Sequence, residues 1–379
     1  MRILIINSEF PPVGGGAGNA SDCLARELVK LRQEVVVATS AFENLPRHEV
    51  RAGVRILRVP AYRKRADRSG AFEQGAFIVV GSFAVLKFVR SWKPDAVLAF
   101  FGVPSGAVAW LLNVVFKVPY VVSLRGGDVP GFRPYDFGTY HKVIAPLLRQ
   151  VWQRATAVVA NSRGLQSLAR AFNNHIPVQI ISNGVDVQRF VVPVDRQWDP
   201  PRLLFVGRVV YQKGLDILLP VLTELKHLPW EFSVVGDGPQ REMLEKVALK
   251  TGISDRIHFR GWQRGTGVEE QYRLANLFVF PSRHEGMPNA VLEAMASGLP
   301  VIATRIAGSE ELVLPGETGQ LVVPDDPSEL KSALIPLLTN ADMRREMGLA
   351  GRRRVEDNFT WNGVAKKYLD VLESAGRTS

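Results

Sequence analysis

The sequence predicts an α/β protein made of two doubly wound parallel-sheet domains. Three observations carry that expectation. The chain has 379 residues, beyond the roughly 250–300 at which a single hydrophobic core stops growing. Apolar runs of four to six residues recur along it, separated by amphipathic stretches, as parallel strands buried on both faces require. The series of runs also starts afresh after a proline-rich break, giving two halves of similar length.

In the first half the runs are 3–6, 34–38, 54–59, 96–100, 120–124, 157–160 and 178–181. In the second they are 203–206, 231–235, 257–259, 277–280, 301–303 and 319–322. Residues 191–202 hold three prolines and no periodicity, and read as an interdomain linker. The expected domains are therefore 1–190 and 203–359. Near the end, Val364, Tyr368, Val371 and Leu372 share one face of a terminal helix over 361–373. Ligands of such sheets bind beyond the carboxyl ends of the strands, so the expected site is a cleft where two such ends face each other.

With 46% hydrophobic and 22% charged residues, the composition excludes a disordered, collagen-like or low-complexity chain. One cysteine, Cys23, cannot form an internal disulfide, and no Cys/His cluster has zinc-ligand spacing. A cytoplasmic location is expected. Residues 1–7 read as a buried first strand and not as a signal peptide, because Pro11-Pro12 and a glycine cluster follow so soon. Residues 96–116 carry no charge and are long enough to span a bilayer. Gly102, Pro104, Ser105 and Gly106 divide that stretch, and Pro119 ends it, so it reads as strand, turn and helix.

The net charge of +10 is unevenly placed. Residues 1–190 hold 24 basic and 12 acidic side chains, whereas 191–379 hold 23 and 25. The first half should face something anionic, such as a membrane surface, an acceptor or nucleic acid; a merely solubilising surface is the plainer alternative. Tyr62-Arg63-Lys64-Arg65 and the mixed apolar and basic stretch 82–90 favour the inner face of a cell membrane, with peripheral attachment. No RRM, helix-turn-helix or zinc-finger signature supports a nucleic-acid partner.

Three motifs carry chemistry. After the first strand, Gly14-Gly15-Gly16 precedes a helix, a place where backbone N–H groups either meet a phosphate or sugar or simply make a tight turn. Gly207-Arg208 closes the first strand of the second half, with Lys213 five residues further on; the pair either brackets a diphosphate or is solvated. The third is the segment from Pro281 to Ala294, in which Glu285 and Glu293 stand eight positions apart. A helix starting near Pro288 or Asn289 puts Glu285 on the loop and Glu293 about one turn inside. The N–H groups of Gly286, Met287, Pro288's neighbour Asn289 and Ala290 then seat a phosphate, while the two carboxylates reach hydroxyls of a sugar and a ribose.

Residues 203–322 resemble the group-one retaining glycosyltransferases of GT-B fold, through LLFVGRVVYQKGLDILL, FSVVGDGP, IHFRGW, LFVFPSRHEGMPNAVLEAMASGLPVIAT and GETGQLVVP. FPPVGGGAGN, VVANSRG, ISNGVDVQRF and NFTWNGVAKKYLDVLE extend the resemblance over almost the whole chain, more loosely from 43 to 94. The resemblance implies two Rossmann-like domains facing across a cleft, the second holding a UDP- or GDP-sugar donor and the first a glycan or lipid-linked acceptor. It implies that segment 360–379 returns to the first domain. It also implies a catalytic set of Glu285, Arg208 and Lys213, with Gly15, Gly16, Gly207, Gly286, Met287, Pro288, Asn289, Ala290, Val291 and Glu293 around the donor.

One departure stands out. Relatives carry a histidine after the fifth strand of the first domain, yet here that stretch is Ser123-Leu124-Arg125-Gly126-Gly127-Asp128-Val129. Arg125 or Asp128 would take its place at the sugar or acceptor, or the two would pair across the turn. No two aspartates are separated by a single residue, so a DxD metal clamp is absent and no metal or other cofactor is expected. The expected activity is retaining transfer of a hexosyl-type sugar to a hydroxyl, in cell-envelope or exopolysaccharide synthesis. A sugar-nucleotide epimerase or hydrolase with a similar cleft is the alternative.

Overall fold

The computed structural model describes residues 1–66, 69–132, 134–263 and 265–377, with 134–137 described by backbone alone. The chain forms two compact units, Met1–Asn183 with the helix Trp361–Arg377, and Gly184–Thr360. Thr378 and Ser379, the end of the expected 360–379 segment, lie outside the described residues.

The first unit is built on strands β1 (Arg2–Ile6), β2 (Glu34–Ser40), β3 (His48–Arg51), β4 (Val54–Val59), β5 (Ala96–Phe100), β6 (Tyr120–Ser123), β7 (Ala157–Ala160) and β8 (Val178–Ile180). They pair in the order β3-β4-β2-β1-β5-β6-β7-β8, all parallel except the β3–β4 hairpin. Alternation along the strands feeds two cores. Leu4, Ile6, Val97 and Ala99 point to one face of the sheet, and Ile3, Ile5, Leu98 and Phe100 to the other. The second face is closed by the helices Gly16–Lys30 and Trp361–Arg377, the latter burying Val364, Tyr368 and Leu372.

The second unit carries β9 (Arg202–Val206), β10 (Glu231–Val235), β11 (Ile257–Gly261), β12 (Leu277–Phe280), β13 (Val301–Thr304) and β14 (Gly319–Val322). Their order is β11-β10-β9-β12-β13-β14, every pairing parallel. The order in which strands are added reverses between β9 and β12, as it does between β1 and β5 in the first sheet. Loops leaving two such strands diverge and open a crevice at their carboxyl ends.

Three readings of the sequence need correction. Strand β3 was not expected, because HEVR has no apolar run and its side chains alternate between exposed and half-buried on an antiparallel edge. The stretch 191–202 is not a free linker but part of the second unit. Arg196 donates to the carbonyls of Ser297 (2.6 Å) and Gly298 (2.9 Å), Asn276 to that of Gln197 (2.6 Å), and the fully buried Arg344 to Asp199 (2.6 Å). The chain instead passes between units at Asn183–Gly184, and Thr360 stays with the second unit. Arg63, grouped with a membrane-facing basic run, is buried.

Candidate functional site

The crevice of the second unit is framed by the loops that follow β9 and β12. Gly207 and the exposed Arg208 leave β9, a single 3-10 turn spans Tyr211–Lys213, and Gly214 starts the helix Leu215–Glu224. Gly214 has φ +69°, and a Cβ there would lie 2.0 Å from the Pro281 carbonyl oxygen. Only glycine allows the two loops to touch at that point. The contact is then locked by polar bonds. Arg283 N donates to the Gln212 carbonyl (2.7 Å), and the Gln212 amide donates to that of His284 (2.6 Å). Arg283 forks onto both oxygens of Asp216 (2.9 and 2.8 Å), bonds Asp325 (2.7 Å) and lies 3.8 Å over the Tyr211 ring. A bidentate, stacked arginine of this kind fixes loop geometry.

This scaffold brings Lys213 and Glu285 together from 72 residues apart. Lys213 Nζ stands 2.5 Å from Glu285 Oε1, and both side chains are mostly buried. The same Oε1 accepts from Ser282 Oγ (2.6 Å) and, more distantly, from the Gln212 amide (3.4 Å). Lys213 Nζ also sits 4.8 Å from the Phe280 ring centre. One carboxylate oxygen therefore satisfies several donors, while among the described residues no bond ends on Oε2.

Beyond Glu285 the chain turns into the helix Asn289–Ala296, with Pro288 as its N-cap. Pro288 makes no side-chain capping bond and the first turn holds no acidic residue, so that turn itself supplies no negative charge to the positive end of the helix dipole. Met287 and Pro288 are buried beneath it. The loop after β13 closes on the same point. Gly308, at φ +81°, approaches so tightly that a Cβ would lie 2.3 Å from the Gly286 carbonyl oxygen. Ala290, Val291 and Glu293 follow on this helix, and Tyr272 donates to Glu293 Oε2 at 2.9 Å. Burial pushes the Glu293 carboxyl up to about 7, against the opposite pull of the Tyr272 hydroxyl and of Arg189.

The first unit holds its candidates differently. Arg63 donates to the carbonyls of Ser8 (3.2 Å), Arg65 (2.9 Å) and Ala66 (3.3 Å), and Gly14 N donates to the Ala66 carbonyl (2.7 Å). Gly14 has φ +94°, but Gly15 faces open space, with nothing within 4 Å of a would-be Cβ. The helix Gly16–Lys30 begins there without a side-chain cap or an acidic residue in its first turn. Asp128 accepts the N–H groups of Gly102 (2.8 Å), Arg125 (2.9 Å) and Gly126 (3.1 Å), so it shapes the loop after β6. Burial pushes its carboxyl up, against those three bonds. The Arg125 side chain does not pair with Asp128. Its guanidinium reaches Asn183 (2.6 Å) and Tyr368 (3.4 Å) and covers the Phe100 ring at 4.1 Å.

Several residues around these sites were not singled out from sequence. Ser282, Gln212 and Tyr272 bond to the expected glutamates, and Arg283 braces the loop through Gln212, Asp216 and Asp325; nearness in sequence to Glu285 or Lys213 was the available signal for the first two. His141 lies against the loop after β6, its Nε2 2.9 Å from the Gly127 carbonyl oxygen. Nothing in its local sequence signals that contact, since it sits on the helix Pro134–Arg154. Among the described residues no group of three His, Cys, Asp or Glu side chains is placed to hold a metal ion.

Comparison with known proteins accords with this geometry. The family model for glycosyl transferases group 1 matches residues 200–340, and that for a glycosyl transferase 4-like domain matches 15–184. The chain belongs to the group 1 glycosyltransferases, and its two parallel-sheet units are those of the GT-B fold. It is 27% identical to a GDP-mannose-dependent alpha-(1-6)-phosphatidylinositol monomannoside mannosyltransferase of Mycolicibacterium smegmatis, over 98% of each chain. Among solved structures, sucrose-phosphate synthase from Thermosynechococcus elongatus matches with a TM-score of 0.88 at 23% identity, covering 100% of both chains. Anabaena HepE in complex with UDP-glucose matches with a TM-score of 0.79 at 18% identity, covering 99% of this chain and 100% of that one.

Proposed function

We propose that this enzyme moves a hexosyl-type sugar, with retention and without a metal, from a UDP- or GDP-sugar to a hydroxyl of a glycan or lipid-linked acceptor. The reading places the reaction in the cytoplasm, in cell-envelope or exopolysaccharide synthesis. One observation carries it: Lys213 and Glu285 meet just before the start of the helix Asn289–Ala296 at the switch point of the second sheet. The solved relative with UDP-glucose and the mannosyltransferase named for GDP-mannose support the donor class, and the phosphatidylinositol monomannoside in the latter's name supports a lipid-linked acceptor.

The chemistry follows from the donors present. The bond from the anomeric carbon to the β-phosphate oxygen breaks, and the acceptor oxygen bonds that carbon on the same face. The acceptor's proton passes to the departing phosphate oxygen. Charge grows on the diphosphate as it leaves, and Arg208, Lys213 and the helix end at 286–290 stabilise it there. A lysine ammonium has three N–H bonds, so Lys213 can hold Glu285 with one and phosphate with the others. Glu285, with Oε1 engaged, presents Oε2 to sugar hydroxyls and orients the ring without attacking it. Glu293 accepts from the ribose.

Three measurements test this. At saturating donor, Lys213→Ala and Arg208→Ala should each lower kcat by about 10²–10³-fold, the cost of losing one preorganised charge donor; near-full rates would refute the assignment. Added chelator should leave the rate unchanged. Proton NMR of fresh product should show the donor's anomeric configuration, and a fluorinated donor trapped on Glu285 would overturn the same-face mechanism.

A further inference from the structure

We infer that the helix Ala71–Trp92 of the first unit is an interfacial anchor that lies flat in an anionic lipid surface. The helix has 22 residues and is apolar enough to cross a bilayer, yet only 28% of its most apolar stretch is buried in the protein. It runs as an α-turn (Ala71–Ala76), a π-turn (Phe77–Gly81) and an α-helix (Ser82–Trp92). Phe77, Gly81, Ser82, Val85 and Val89 are buried and fix one side to the unit's core. That fixed side rules out spanning.

The opposite side is apolar where a solvated helix face should be polar. Phe72 is 72% exposed, Val79 60% and Phe83 72%, one in each segment of the helix. Tyr62 extends the patch, with its ring centre 6.3 Å from that of Phe72. Farther along the helix come the exposed cations Lys87 and Arg90, and Lys64 and Arg65 are exposed beside the helix start. Large apolar side chains in a row, flanked at both ends by cations, complement the acyl boundary and the phosphates of an anionic leaflet. The surplus of 24 basic over 12 acidic residues in 1–190 has the same sign. A second copy of the chain would meet like charge on this face, which disfavours dimerisation as the reason for the patch.

The test uses the full chain without substrate, so its outcome is separate from the glycosyltransferase reading. Flotation is measured with vesicles of phosphatidylcholine alone and with a third phosphatidylglycerol, at low and high salt. The protein should bind the anionic vesicles at least about tenfold more tightly than the neutral ones, and high salt should weaken that binding by a similar factor. The triple variant Phe72→Ser, Val79→Ser, Phe83→Ser should lose binding about tenfold or more with its circular dichroism and Tm unchanged, since all three side chains are exposed. Lys87→Glu with Arg90→Glu should abolish the preference for anionic lipid. Equal binding by the triple variant, no binding by the unmodified protein at low salt, or a dimer that the triple variant dissolves would each overturn the inference.

Discussion

The loops after β1 and β9 occupy equivalent places, each leaving the strand at a switch point and leading into a helix, yet they are built in opposite ways. The loop after β9 is fastened through its own side chains: Gln212 and Lys213 bond to the neighbouring loop after β12, and Gly214 touches it directly. The loop after β1 is fastened by Arg63, which bonds its Ser8 carbonyl, and by the Ala66 carbonyl that Arg63 also holds and Gly14 N reaches. Its outer edge, at Gly15, is bare backbone. The second unit thus presents a preformed constellation of charges, while the first presents a glycine edge without side chains. Fixed charges suit a ligand on which negative charge develops, as it does on a departing diphosphate.

Substitutions at matched positions sharpen that contrast. Gly214→Ala, meeting the Pro281 carbonyl at a positive φ, should cost about 3 kcal/mol of stability in denaturant unfolding, from combined backbone strain and overlap. Gly15→Ala, with open space around it and φ −125°, should change stability by less than about 0.5 kcal/mol. Equal effects would mean the two loops are packed alike. Next in size, Arg63→Ala strands buried carbonyls and should cost about 2 kcal/mol, against less than about 0.5 kcal/mol for the exposed neighbour Arg65→Ala.

Glu293 gives the smallest effect and the most diagnostic one. Its carboxyl titrates near 7 in the folded chain, against an ordinary 4.5. Between those values the folded state holds a proton that the unfolded state has lost, so stability falls as pH rises through that window. Glu293→Gln removes the penalty. The variant should be more stable at pH 8 by about 1–2 kcal/mol, with the difference shrinking to nothing near pH 4.5. Donor affinity should fall in the same variant, and the native enzyme's donor affinity should weaken below pH 7 as the carboxylate is protonated. A gain in stability without a loss of donor affinity would separate Glu293 from the ribose.

Much of this architecture was legible in the chain because parallel strands buried on both faces leave unbroken Val, Ile and Leu runs. β4, β5, β7, β10, β12 and β14 begin and end where those runs do. The edge strand β3 left no such run, since HEVR holds a single apolar residue, the exposed Val50. Residues 191–202 look like a linker because prolines abolish periodicity, but the bonds made by Arg196 and Asp199 have no periodic signature. Charge misled at Arg63, where three basic neighbours look alike and only burial distinguishes the first of them. The pairing of Lys213 with Glu285 was half visible. Each residue stood out locally, but their contact depends on β9 and β12 lying side by side, a property of strand order and not of spacing.

The central claim is that the nucleoside diphosphate is held in the second unit by Arg208, Lys213 and the helix end at 286–290. Calorimetric titration of the full chain with UDP and GDP tests it most directly, beside the double variant Arg208→Ala, Lys213→Ala. One nucleotide should bind the unmodified chain at a single site, and the double variant should bind it at least about 100-fold more weakly, as expected for losing two charge-assisted contacts. Unchanged affinity in a folded double variant would contradict the account.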